Sequence, residues 1–340
     1  MVLRKYLTFF LVVLLCMGLI LPESNLDWNA DTPVQEVLSF LGEKAPKHSM
    51  EENDLSIWVS RGEDIIKRGK TVGPDGKKSK FVSKHYVCTS CHNLKQEDPS
   101  LKSRDPEKRL DYAIKHNMPF LQATTFHGIV NRESWYNDDY YKKYGDLVKP
   151  ARESLEEAVQ LCATECAQGR LLKDWEMKAV LAYYWSLEFK LGDLEMSKND
   201  LAKLKGLAGD KNNSAEAKSF LKNFYMQKSP ATFSDAPPDK KAGYGLKGDA
   251  ERGKAIYTLS CLHCHKEGGV SAYTLDQGKL ALRHLRKKIP QDSHMSLYQI
   301  IRYGTYALPG HRPYMPHFPL ERMSNQQVED LRAYIELGAE

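Results

Sequence analysis

One pentapeptide occurs twice in the chain, as Cys88-Thr-Ser-Cys91-His92 and as Cys261-Leu-His-Cys264-His265, and it constrains the fold more than any other feature. Each copy sets two thiols three positions apart and an imidazole directly after the second. On a helical turn all three face one side, so the thiols can add to the vinyl groups of a haem while the histidine becomes the proximal iron ligand. Seven Cys and eleven His in 340 residues are too few for chance to produce this pattern twice. A compact zinc site would bring the two Cys-x-x-Cys pairs close together in sequence, whereas here they lie far apart, and a redox dithiol has no use for the following histidine. Two covalently bound haem c groups are therefore expected. Cys88, Cys91, Cys261 and Cys264 are the attachment residues, and His92 and His265 are iron ligands.

At ~100–200 residues per domain the length allows two or three domains. With 41% hydrophobic and 27% charged residues the composition is that of a globular protein, which sets aside disordered and collagen-like classes. A net charge of +5 over this length is too dilute for a nucleic-acid footprint. Arg4 and Lys5 precede an apolar run from Leu7 to Leu21, which reads as an export signal and implies a periplasmic location. The run is shorter than the ~20 residues of a spanning helix. It also lacks a clear Ala-x-Ala-like cleavage site, so a cleaved signal peptide and a retained N-terminal membrane anchor both stay open. Cys16 is part of the apolar stretch.

Helical apolar spacing recurs in Asp54 to Lys70, Ser154 to Gln168, Asp174 to Lys190, Asp249 to Ser260, Leu280 to Lys288 and Ser324 to Leu337, and no run alternates long enough to require a sheet. Ser154 with Glu157, and Ser324 with Gln327, have capping-box spacing. The expectation is an all-α chain of two cytochrome c-like helical domains in tandem. Residues 1–21 form the signal or anchor, 22–52 a flexible lead-in, 53–192 the first domain, 193–248 a linker with a helix near Ala215 to Phe224, and 249–340 the second domain.

The second half resembles class I cytochromes c in Asp249-Ala-Glu-Arg-Gly-Lys-Ala-Ile-Tyr257 before the haem motif, Tyr314-Met315-Pro316 after it, and a closing helix from Ser324. The resemblance implies that Met315 is the distal iron ligand, with Met323 the alternative. A thioether opposite histidine raises the reduction potential, as suits an electron exit.

In the first half Met118, His127, Cys162 and Cys166 are candidates for the distal position. Met118 precedes a proline, as Met315 does. Cys162 continues the apolar stripe of Leu155, Ala158 and Val159, which turns its sulfur toward the core. Ser154 to Cys162, Gly169-Arg170-Leu171, Glu176-Met177-Lys-Ala179 and Leu181 to Leu187 resemble the first domain of dihaem thiosulfate dehydrogenases and, more distantly, the A-subunit cytochromes of the sulfur-oxidising multienzyme system. The resemblance implies that Cys162 ligates the active-site haem and that the reaction is oxidation of thiosulfate to tetrathionate. Cationic residues would have to hold the dianion; Arg132, Arg152, Arg170 and Lys173 are nearest the motif, with Arg132 and Arg170 the expected catalytic pair.

The chain departs from that family in Thr164 and Glu165, where an Arg is usual, in the additional Cys166, and in the acidic, Tyr-rich stretch Trp135 to Tyr144. Pairing of Cys162 with Cys166, and a place for both as core residues, stay open as alternatives, although four apart in a regular helix is poor geometry for a disulfide. Asn137 to Tyr144 reads as a hydrogen-bonded surface loop. Lys279 to Lys288 reads as a solvated basic helix face that would also suit an acidic redox partner. The expected partners are a redox protein or respiratory complex and a small sulfur anion such as thiosulfate, with no nucleic acid. A non-enzymatic dihaem electron carrier is the alternative, and a dihaem peroxidase a third reading.

Overall fold

The computed structural model describes residues 26–50, 55–291, 293, 295–305 and 315–340. The expected signal or anchor, Cys16 and Tyr314 lie outside them. The described chain is all-α. Its extended pairing is confined to two isolated bridges, Pro33 with Lys190 and Val72 with Lys78. No helix among the described residues is long and apolar enough to cross a membrane.

Short turns aside, the helices are α1 Val34–Phe40, α2 Leu55–Arg68, α3 Pro106–His116, α4 Leu155–Leu161, α5 Asp174–Trp185, α6 Lys198–Ala208, α7 Ser214–Lys222, α8 Ala250–Ile256, α9 Lys279–Lys288, α10 Leu297–Tyr303 and α11 Asn325–Gly338. The caps expected for two of them form: the Ser154 hydroxyl accepts from Glu157 N at the start of α4, and Ser324 and Gln327 close a capping box at α11.

The same crossing is built twice. In the first half α2 packs on α5, and Gly62 faces Ala179 so closely that an added Cβ would sit 2.0 Å from its carbonyl oxygen. In the second half α8 packs on α11, and a Cβ on Gly253 would sit 1.9 Å from Asp330 O. In both halves a glycine follows an arginine in the helix that leads to the Cys-x-x-Cys-His motif. The missing side chain lets two helix backbones approach within touching distance.

Three apolar cores result. The first surrounds the first pentapeptide, with Ile65, Ile66, Phe126, Leu155, Ala158, Ala179 and Tyr184 buried. The second encloses Ile256, Tyr257, Tyr298, Met323, Leu331 and Ile335, and it also takes Leu110, Ala113 and Phe120 from the first half. The third differs from the sequence expectation. Trp28, Val34, Val37, Leu38 and Leu41 of the supposed flexible lead-in are buried against Leu204, Ala217 and Leu221 of the supposed linker. Both stretches are rich in prolines and charges, which read as loop. Yet Val34, Val37, Leu38 and Leu41 form a helical stripe that pays for ordering the segment through burial, at roughly 25 cal/mol per Å² of apolar surface.

The halves are joined by polar contacts at α3. Arg252 bonds Glu107 Oε2 at 2.9 Å and Asp111 Oδ1 at 2.8 Å, and the Gln327 amide donates to Pro106 O at 2.6 Å. At the centre is a buried ion cluster. The Arg322 guanidinium bonds both oxygens of Glu97, at 2.7 and 2.9 Å, and donates to the carbonyls of Leu121 at 2.9 Å and Ala123 at 2.7 Å. Arg109 Nη2 lies 3.5 Å from Glu97 Oε2. Burial alone would push the Glu97 carboxyl up, but the charges of Arg322 and Arg109 outweigh it and hold the group well below the usual carboxylate range.

Candidate haem sites

Both histidines of the repeated motif are oriented in the same way. His92 Nδ1 lies 2.6 Å from Thr124 O, and His265 Nδ1 lies 2.7 Å from Tyr273 O. A carbonyl can only accept, so each Nδ1 carries the proton and each Nε2 keeps its lone pair, the tautomer an iron ligand needs. Burial pushes the His92 pKa down to about 4, so the imidazole is neutral at physiological pH. The Phe126 ring stacks on His92 with centroids 4.2 Å apart and fixes its plane.

Cys88 and Cys91 lie with His92 on one wall of a cavity of about 1630 Å³ of atom-free space, counting its open mouth. Burial raises the two thiols, Cys88 to about 11, so both remain protonated, as suits addition to a vinyl group rather than ionic metal binding. These features fit a haem.

The residues expected as candidates for the first site's second ligand are placed differently. Cys162 and Cys166 both line it. Met118 packs instead against the second core, and His127 faces away, with Nε2 3.5 Å from Asp193 Oδ2 and its ring edge-on to Phe189. Beyond Leu161 the helix widens into a single π-turn, Cys162–Cys166, closed by Ala167 N donating to Cys162 O at 2.8 Å. Such turns insert one residue and recur at functional sites. The two thiols are near enough on this turn to shift each other's pKa. Tyr144 Oη lies 3.3 Å from Cys166 Sγ. The hydrogen bonds from Cys162 and Tyr144, helped by the Lys143 charge, outweigh burial and hold Cys166 at about 7, while the bond to Cys166 and burial push Cys162 well up.

Of the expected cations, Arg132 lines the cavity and is buried, with Nη1 3.5 Å from Thr124 Oγ1. Arg170 does not line it. Its guanidinium is committed to both oxygens of buried Glu176, at 2.7 Å each, and to the carbonyls of Lys80, Phe81 and Leu171. Arg152 pairs with Asp138, and the Lys173 amide donates to Glu176 at the start of α5. None of these three lines the cavity.

The Tyr-rich stretch differs from the surface loop expected. Its acids do face outward: Asp139 accepts from Phe233 N at 2.7 Å and pairs with Lys142. But Tyr136, Tyr140, Lys143 and Tyr144 line the cavity beside the cysteines. Burial pulls the Lys143 pKa down to about 8. Lys143 Nζ makes a short contact with Nδ1 of His317, whose imidazole is kept neutral by burial and by that ammonium. His317 and Arg322, which the sequence reading did not single out, come from the second half and complete the wall. The spacing of Tyr136, Tyr140, Lys143 and Tyr144 on one helical face was the available signal for the loop residues; nothing local in sequence announces His317 or Arg322.

In the second half α8 also runs into a π-turn, Tyr257–Cys261, which delivers the second pentapeptide. Cys261 and Met315 pack against one core, and Met315 N donates to Thr305 Oγ1 at 2.8 Å. Met323 is enclosed within that core, with its carbonyl accepting from Arg302 Nη1 at 2.8 Å. Residues 248–335 match the family described as cytochrome c oxidase, cbb3-type, subunit III. The second half is a class I c-type cytochrome domain. Comparison with curated proteins finds no match. The protein therefore binds haem c covalently and transfers electrons through it, and the second pentapeptide, Met315 and most of α11 fall inside the matched residues.

The two motifs touch. Cys264 Sγ lies 3.9 Å from Ser90 O, and Phe120 N donates to Leu259 O, two residues before the second motif, at 3.0 Å.

Proposed function

We propose that the chain is an exported dihaem c-type cytochrome that oxidises a small sulfur anion, thiosulfate to tetrathionate, at its first site and passes the electrons through its second to a redox partner protein or respiratory complex. The observation that carries this reading is the single cavity lined by Cys88, Cys91 and His92 together with Cys162 and the cations Arg132 and Lys143. Haem held there by Cys88, Cys91 and His92 would supply a one-electron couple, and electron donation from the Cys162 sulfur would lower its potential relative to the site of His265 and Met315.

The chain's own groups would then do the following work. Thr124 O fixes the His92 tautomer, Cys162 offers a sulfur across the cavity, and the Arg132 and Lys143 charges offset the dianion where water is scarce. Joining two thiosulfates through their terminal sulfurs forms one S–S bond, breaks none and releases two electrons. Contact between the two motifs supports their onward transfer, and the exposed basic face of α9 suits an acidic partner.

The test is thiosulfate-dependent ferricyanide reduction by purified protein, repeated with Cys162→Ala. Turnover that is lost in the variant supports the reading. Absence of turnover in both forms leaves a dihaem electron carrier, the second reading, favoured by the commitment of Arg170 to Glu176 rather than to the cavity.

A further inference from the structure

A thiolate ligand needs one cysteine, and the cavity wall holds two. In a regular helix, residues four apart are held by the backbone in a poor attitude for bonding their sulfurs. Between Cys162 and Cys166 that regular ladder is interrupted. The turn is closed by the five-residue bond from Ala167 N to Cys162 O, Gly169 N reaches back to Ala163 O at 2.8 Å, and Gln168 takes a left-handed conformation at φ 54°. The two cysteines begin and end this one turn, and both open onto the cavity rather than into a packed core. Tyr144 Oη lies 3.3 Å from Cys166 Sγ and Lys143 lines the same cavity, so the pair has polar surroundings rather than a purely apolar shell.

The geometry points to Cys162 and Cys166 as a reversible dithiol–disulfide pair in the cavity wall. The oxidant is an external disulfide, R–S–S–R. Cys166 sulfur attacks it and displaces one RS⁻, leaving a mixed disulfide on Cys166. Cys162 sulfur then attacks Cys166 sulfur and displaces the second RS⁻. One S–S bond is broken and one formed, the two thiol protons leave on two RSH, and the protein pair loses two electrons that the external disulfide gains. One consequence rests on the reading of Cys162 as an iron ligand: in the disulfide state Cys162 has no thiolate to offer, so oxidation of the pair exchanges the ligand set of the first site.

Trypsin releases Glu153–Arg170, a peptide that contains both cysteines and no other. Holoprotein is incubated with hydroxyethyl disulfide, small enough to enter the cavity, or with dithiothreitol, then denatured in an alkylating reagent, digested and weighed. The expected result is an unalkylated peptide lighter by two hydrogens after the disulfide, and a doubly alkylated peptide after dithiothreitol. Two alkyl groups under both conditions, or mixed disulfides without the internal bond, would overturn the pair. Cys166→Ser should leave Cys162 free to alkylate, or to carry only a mixed disulfide. The low-spin ferric spectrum of the same samples reads the consequence separately. A spectrum that changes with the internal bond and returns on reduction supports ligand exchange, whereas an unchanged spectrum beside a formed bond removes Cys162 as the ligand and leaves the pair standing.

Discussion

Arg322 and Glu97, 225 positions apart, form a two-armed ion pair in which both side chains are almost wholly enclosed, and the same guanidinium holds the carbonyls of Leu121 and Ala123. Glu97 in turn accepts from Thr125 N at 2.7 Å, next to the carbonyl that fixes His92. A residue of the second half thus braces the loop that orients the first half's histidine.

Removing the anion leaves buried cations without a counter-charge. Glu97→Gln is expected to cost about 3–5 kcal/mol in denaturant unfolding, the usual penalty for breaking a buried pair from one side. The sign with pH follows from the direction of the shift. Glu97 is held below the ordinary Glu value of about 4.3, so its contribution is complete above that value and is lost as the pH falls toward the lower folded one. The variant should therefore lose stability at neutral pH and show a shallower acid limb; an unchanged acid limb would count against the cluster.

Gly253→Ala is expected to destabilise by about 1–3 kcal/mol or more, since the new methyl meets Asp330 O and two helix backbones must part. Gly62→Ala should do the same at Ala179. Thermal unfolding of each variant checks this, and wild-type stability in either would show that the crossing tolerates a side chain.

Haem content gives a count. Pyridine haemochrome of the mature protein should report two haem c per chain, and the double variant Cys88→Ala, Cys91→Ala one. A value of one for the unaltered chain would restrict haem attachment to the second half.

Met315→His exchanges a thioether for an imidazole and should lower one reduction potential by on the order of 100 mV, a fraction of the ~0.8 V that axial ligands span. A redox titration that shows no shift in either centre would remove Met315 from the iron.

Lys143→Gln tests the cationic wall. If the ammonium holds a sulfur dianion, KM for thiosulfate rises about tenfold, the equivalent of ~1.4 kcal/mol, with haem content unchanged. Equal KM values would assign Lys143 to His317 alone.

What the sequence made legible follows the range of the forces involved. The pentapeptides, the caps at Ser154 and Ser324 and the stripe leading to Cys162 are local, and helix geometry turns each directly into a position. The α1 stripe was equally local, but Pro33 and the surrounding charges masked a segment held by partners distant in sequence, Phe189 to Leu194 and the helices α6 and α7. The wall formed by His317 and Arg322 depends on how the two halves dock, which no local pattern encodes. Arg170 read as a substrate ligand because its sequence neighbours are right; the carboxylate that claims it, Glu176, sits in the first turn of the next helix, a proximity visible only once the chain folds back.

Met315 and His317 are two residues apart on one strap, yet the first packs with the second core and the other faces the first cavity. Neither half is consequently a transplantable cassette. Cutting the chain near residue 248 would strip the first half of part of its enclosure and of Arg322, the cation that binds both oxygens of Glu97, so separately produced halves should recover their native character only on being mixed.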